Sequence, residues 1–390
     1  MYSFVNFVQG ATFAQCLYCF VLYCFLLLFS LRGNVSNLYL KKDFIGGRRF
    51  LFCGLLLFAL TAFIGGDFFH YHELMSEYRG QVFGDQEIGL EAFYQYLISY
   101  IDGNYFLFRL VVWGGSLILI QYAIRLFGAN MYHTLFLILA GFIITFSYAR
   151  ATLAMAVLSI GIAFICIASE ENIKKRVLYT IIGFVIMACS VNFHRSMLPV
   201  VILAAGWILM PWKKQIAKYS LLLFPIFVLI CSIMLEKAFE ELFMVANTME
   251  DETGTFHRAE YYAEQEAAIS NINGYIRLAF HYAAFYLPFL IIGNITRSKE
   301  ILDKMDNRSI WLYQIIYLIF IFATAFIFLD FESSVLFDRY LYMSFIPMSI
   351  LIAYLKDSGV LAIKQYYWIV ICFILCNLFQ LFAYVYSVYK

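Results

Sequence analysis

One stretch of this chain constrains its fold more than any other: Tyr148 to Pro199. Two apolar runs flank a charged knot there, Glu170-Glu171-Asn172-Ile173-Lys174-Lys175-Arg176. At about 1.5 Å per helical residue, each run is long enough to cross roughly 30 Å of hydrocarbon. If the knot lies on one side of a bilayer, Arg150 at the start of the first run lies on the other. So does His194-Arg195 at the end of the second. Ionisable groups at membrane depth are costly to keep, which makes them functional candidates.

Composition extends this reading to the whole chain. The 390 residues are 63% hydrophobic and 14% charged, with a mean hydropathy of +0.79. Soluble domains carry about 25% charged residues, so an all-α, polytopic integral membrane helix bundle is expected. A net charge of +1 with no basic tract argues against a nucleic-acid partner. With 5 prolines and no Ser/Gly-rich linker, residues 1–390 read as a single transmembrane domain. The N-terminus lacks the basic region and small-residue cleavage site of a secretory signal, so its first apolar run reads as a retained helix.

Hydropathy places about twelve transmembrane helices. They are Thr12–Leu31, Phe50–Phe69, Phe106–Phe127, Met131–Tyr148, Ala151–Ala168, Val177–Phe193, Ser196–Trp212, Tyr219–Leu235, Tyr275–Ile295, Ile310–Leu329, Tyr340–Leu355 and Tyr366–Tyr386. Lys and Arg set the orientation. Arg32, Lys41, Lys42, Arg48 and Arg49 follow the first span. Arg125, Lys174-Lys175-Arg176, Lys213, Lys214, Lys218, Arg297, Lys299, Lys304 and Arg308 fall on the same side. With Lys356 and Lys364, eighteen of the 27 Lys and Arg residues face the cytoplasm, and both termini face out.

Two outside loops are long, at about residues 70–105 and 236–274, and both are rich in acids. Their aromatic content, for example Ala92, Tyr96 and Tyr100 at helical spacing after Glu91, predicts amphipathic helices on the outer surface. Seven of the outside basic residues are Arg: Arg79, Arg109, Arg150, Arg195, Arg258, Arg277 and Arg339. Arginine is a planar, permanently charged fork that fits two phosphate oxygens at once. Its presence on a face where positive charge is normally avoided suggests an anionic ligand. Pairing with acids of the same loops is the alternative. It is weakest for Arg150, whose immediate neighbours include no acid.

No metal site is assigned. Asp67, His70, His72 and Glu73 contain an H-x-H with carboxylates, but no third histidine stands nearby. All nine cysteines lie in apolar runs, including Cys16/Cys19 and Cys372/Cys376, and read as packing residues. P-loop, G-x-S-x-G, H-E-x-x-H and dinucleotide motifs are absent, so ATP-driven transport and hydride chemistry have no support.

One ordered set of short motifs remains: Tyr78-Arg79, Gly84-Asp85, Glu87-Ile88-Gly89, Tyr148-Ala149-Arg150-Ala151-Thr152, Phe193-His194-Arg195-Ser196 and Arg339-Tyr340. In order and sidedness this set resembles the EpsG family of Wzy-like polysaccharide polymerases, over about Tyr78 to Tyr342. The chain departs from the family pattern at Arg150-Ala151, where Arg-Gln is frequent. It departs again at Glu87-Ile88, where Pro often follows the acid. The resemblance implies a membrane glycosyltransferase that uses undecaprenyl-diphosphate-linked repeat units at the outer face of a bacterial cytoplasmic membrane. The product would be an O-antigen, capsule or exopolysaccharide. A flippase and a chain-length regulator would be further partners, and no cofactor is implied.

Such a transfer needs a held diphosphate, a deprotonated sugar hydroxyl and two amphiphiles meeting at the surface. Arg150, with Arg195 or Arg339, suits the diphosphate. His194 suits general-base work or acceptor orientation, and a structural role stays open. Arg79, Asp85 and Glu87 suit the acceptor glycan. A lipid-linked oligosaccharide flippase would use the same arginines without a base. A glycan ligase would share the whole site.

Overall fold

In a computed structural model the described residues are 21–25, 28, 75, 91–141, 149–208, 213–248, 272–328 and 334–388. Among them the chain is helical throughout, with no strand. The expected all-helical class therefore holds for the part described. Four helices are long and apolar enough to cross a membrane: Tyr105–Phe127, Arg150–Ala168, Lys214–Lys237 and Asn307–Phe328. Shorter apolar helices accompany them at Met131–Ala140, Arg195–Trp207, Tyr282–Ile295 and Ile363–Phe379.

The elements used below are α1 (Ala92–Tyr100), α2 (Tyr105–Phe127), α3 (Met131–Ala140), α4 (Ala149–Ala168), α5 (Ile173–Val191), α6 (Leu198–Ile208), α7 (Lys213–Thr248), α8 (Ile272–Ile295), α9 (Lys299–Lys304), α10 (Asn307–Ala325), α11 (Ser334–Asp357) and α12 (Ile363–Val388). Helix α4 is apolar all round and lies against α2, α5 and α10 at the centre of the bundle. A helix with no polar face has no side to give to water, so it is buried or faces lipid. Helix α7 shows the second case, exposing Leu222, Ile226, Leu229 and Ile233.

The contact between α4 and α5 is made by two glycines. A Cβ on Gly161 would lie 2.4 Å from Met187 Cγ and 2.7 Å from the Gly183 carbonyl oxygen. A Cβ on Gly183 would lie 2.8 Å from the Gly161 carbonyl oxygen. Without side chains at this crossing, the two backbones touch. The same number of residues separates Gly161 from Arg150 as separates Gly183 from His194. This antiparallel crossing therefore brings Arg150 and His194 to the same end.

The opposite end of α4 is a polar girdle. Asn172 caps α5 by accepting from the Lys175 N–H at 3.1 Å. The Arg176 guanidinium donates back to the Ala168 and Ser169 carbonyls at 3.3 and 3.0 Å. Arg308 donates to the Phe127 carbonyl at 2.6 Å and pairs with Glu170 at 2.5 Å. Asp306 caps α10 and also accepts from the Tyr354 hydroxyl. His133 Nδ1 meets Asp357 at 2.7 Å. Four turns of the chain are thus tied together at about 30 Å, one length of α4, from Arg150.

Two expected boundaries are corrected, and one expected helix is found. The helix containing the span Tyr219–Leu235 runs on to Thr248, so residues 236–248 continue it instead of starting a separate loop helix. Helix α1 forms within residues 70–105 as expected, and its buried face carries Tyr94 and Ile98. Tyr96 and Tyr100 point away, 77% and 90% exposed. Arg339 lies in the second turn of α11, not at its start. The Asp67–Glu73 cluster and the Cys16/Cys19 pair lie outside the described residues.

Candidate functional site

The Arg150 end of the bundle is organised by a carboxylate. Glu91 is the residue before α1, at the N-cap position, yet its side chain makes no capping bond to that helix. It turns inward, where 8% of the side chain is exposed. Its Oε2 accepts from Arg150 Nη1 at 2.8 Å. Its Oε1 faces His194 Nδ1 at 3.2 Å and accepts from the Arg195 backbone N–H at 3.4 Å. A loop acid, the first turn of α4 and the turn after α5 thus meet on one carboxyl group.

Local packing explains why they meet. Helix α1 is seated on both mouths by its aromatics. Phe93 packs edge-on to Phe193 with centroids 4.6 Å apart, and buried Tyr94 packs against Phe108 of α2. The Tyr94 hydroxyl donates to the Arg150 carbonyl at 3.3 Å. His194 follows the last turn of α5 in extended backbone, and its N–H bonds to the Ser190 carbonyl at 3.1 Å. This kink starts the short turn Arg195–Met197 and then α6, so the imidazole emerges sideways toward Glu91 and not along the helix axis.

The electrostatics favour an ionised Glu91. Burial pushes its carboxyl up. The His194 hydrogen bond and the Arg150 and His194 charges pull it down further, so it settles at about 2. At neutral pH it is a carboxylate that can only accept. Nδ1 of His194 must then carry the proton in this contact, which leaves the lone pair of a neutral ring on Nε2.

The structure thus joins Arg150 and His194, which were expected together. Pairing with an acid was least expected for Arg150, yet it has such a partner: Glu91, distant in sequence and adjacent in space. Arg195 contributes its backbone N–H, and its side chain is exposed. Arg79, Asp85 and Glu87 lie outside the described residues, as does the Arg339 side chain. Arg109 is buried in the first turns of α2, over the Tyr105 ring. Glu91 is the residue that sequence reasoning missed. Its signal was an acid directly before a helix with no other charge, Ala92–Tyr100. Nothing local indicates which cation it would meet. Among the described residues no cluster of three or more His, Cys, Asp or Glu could hold a metal ion.

Long apolar helices and a polar cluster at one bundle end define a helical membrane protein. The chain belongs to the EpsG family, whose family model matches residues 48–390. No curated protein and no solved structure is similar enough to match.

Proposed function

We propose that this chain polymerises undecaprenyl-diphosphate-linked oligosaccharide repeat units into a surface polysaccharide. It would do so at the outer face of the bacterial cytoplasmic membrane, as a single domain of about twelve crossings. EpsG family membership is in keeping with a polysaccharide polymerase-like role. The observation that carries the reading is the convergence of Arg150 and His194 on Glu91 at one end of the bundle. It unites a fixed cation, an imidazole and a carboxylate where lipid-linked substrates would arrive.

In the proposed step, an acceptor sugar hydroxyl attacks the anomeric carbon of the growing glycan. The bond from that carbon to the diphosphate oxygen breaks, and undecaprenyl diphosphate departs with its charge. His194 takes the hydroxyl proton, and Arg150 stabilises the leaving diphosphate, with Arg195 or Arg339 as its second cation. Arg79, Asp85 and Glu87 bind the acceptor glycan. A flippase and a chain-length regulator would act alongside, and nucleic acid would have no part.

Deleting the gene and resolving the surface glycan on a gel tests this. Single repeat units on the surface are the expected result. Loss of all surface glycan would replace polymerase with flippase, and free polymer without attachment would indicate a ligase.

A further inference from the structure

The direction of the Glu91 side chain calls for an explanation. A short carboxylate such as Asp at a helix N-cap accepts from the N–H groups of its own first turn, and a longer acid at that position can still gain from the helix dipole. Glu91 leaves that position unused and is instead nearly buried between two other segments. Its Oε2 is held by Arg150, so Oε1 is the oxygen presented to the turn after α5. There it meets both the imidazole and the backbone N–H of the next residue. Two contacts from consecutive residues define the ring's position as well as its distance.

We propose that Glu91 is the positioning residue for His194: its carboxylate holds the imidazole by Nδ1 and so selects the form with the basic lone pair on Nε2. This rests on the polymerase reading for its chemistry. Among the described residues, Glu91 on the α1 side meets His194, Arg150 on α4 holds the same carboxylate, and Arg195 is next in the chain. When the ring takes a proton from the acceptor hydroxyl, Glu91 balances the new positive charge that Arg150 would otherwise oppose. Arg150 in turn anchors Oε2, so that the carboxylate does not swing.

The amide variant discriminates sharply. In Glu91→Gln the side-chain oxygen is the only group that can face the Arg150 cation, because an N–H cannot accept. The amide NH₂ then faces Nδ1, which must become the acceptor, and the proton moves to Nε2. Shape and volume are preserved, but the base is blocked. Glu91→Asp keeps an acceptor-only group with a shorter reach.

The test uses the full chain in lipid nanodiscs. Its substrate is undecaprenyl-diphosphate-linked repeat units extracted from the host strain lacking this gene. Glu91→Gln should lower kcat by about 10²-fold or more, within the range for losing a positioned base, with KM changed by less than about threefold. Glu91→Asp should recover at least about tenfold of that loss. In a His194→Gln background, Glu91→Gln should cost no more than about twofold further, since no imidazole remains to position. Independently of turnover, deuterium exchange at the imidazole C2, read by mass spectrometry, gives the titration midpoint of His194. That midpoint should fall by about one unit or more in Glu91→Gln, because the charged ring loses its counter-ion. Equal midpoints in the two proteins, or losses that multiply in the double variant, would overturn the proposal. If the wild-type chain does not lengthen the glycan, the polymerase reading falls, and the exchange midpoints alone decide the Glu91–His194 linkage.

Discussion

Arg150 meets Glu91 through one guanidinium nitrogen, Nη1, at 2.8 Å. A lysine ammonium at the same place could keep that ion pair. It could not present a planar fork to two oxygens of a diphosphate. Arg150→Lys therefore separates pairing from ligand binding. The expected outcome is near-normal protein in the membrane with at least about a tenfold loss of transfer rate in purified protein. Near-full polymer length in this variant would confine Arg150 to holding Glu91. Arg150 and His194 were legible as candidates because they are charged or titratable groups at the ends of apolar runs. Glu91 was one acid among several in its loop, and its role depends on a fold contact across 59 positions of chain.

At the scale of elements, the site depends on how closely α4 and α5 approach. Their crossing at Gly161 and Gly183 leaves no room for a methyl group: the nearest atoms to a Cβ include backbone, which cannot rotate aside. Gly161→Ala should force the helices apart and cost about 1–3 kcal/mol, the usual penalty for overpacking. The measurable outcomes are a lower thermal midpoint in detergent and reduced transfer per folded molecule. A variant with full transfer and an unchanged midpoint would show that the crossing can yield. Helix α1 makes the complementary point. Its existence was readable from apolar spacing, but the face it buries was not. Tyr94/Ile98 and Tyr96/Tyr100 are both apolar pairs at i, i+4 spacing, and the positions of Phe108 and the Arg150 carbonyl, both met by Tyr94, select between them.

For the whole molecule, the two ends of α4 carry different chemistry: Glu91, Arg150 and His194 at one, and Glu170, Arg308, Asp306 and Tyr354 at the other. The positive-inside pattern assigns the second end to the cytoplasm. Single cysteines in a cysteine-free background should divide accordingly with an impermeant maleimide. Positions 79, 150, 194 and 339 are expected to label from outside, and 42, 175, 214 and 304 only after permeabilisation. Labelling of 150 and 175 from the same side would sink both the topology and the outward site. The all-helical membrane class and the placing of Arg150 and His194 at the same bundle end followed from the sequence alone. Both depend on run length and on the spacing of charges along the chain, which are one-dimensional properties. The Gly161–Gly183 crossing, the continuation of α7 to Thr248 and the burial of Glu91 between Arg150 and His194 were decided by tertiary structure. Each depends on which surfaces meet once the helices pack, and a carboxylate's partner is set by distance in space, not by position in the chain.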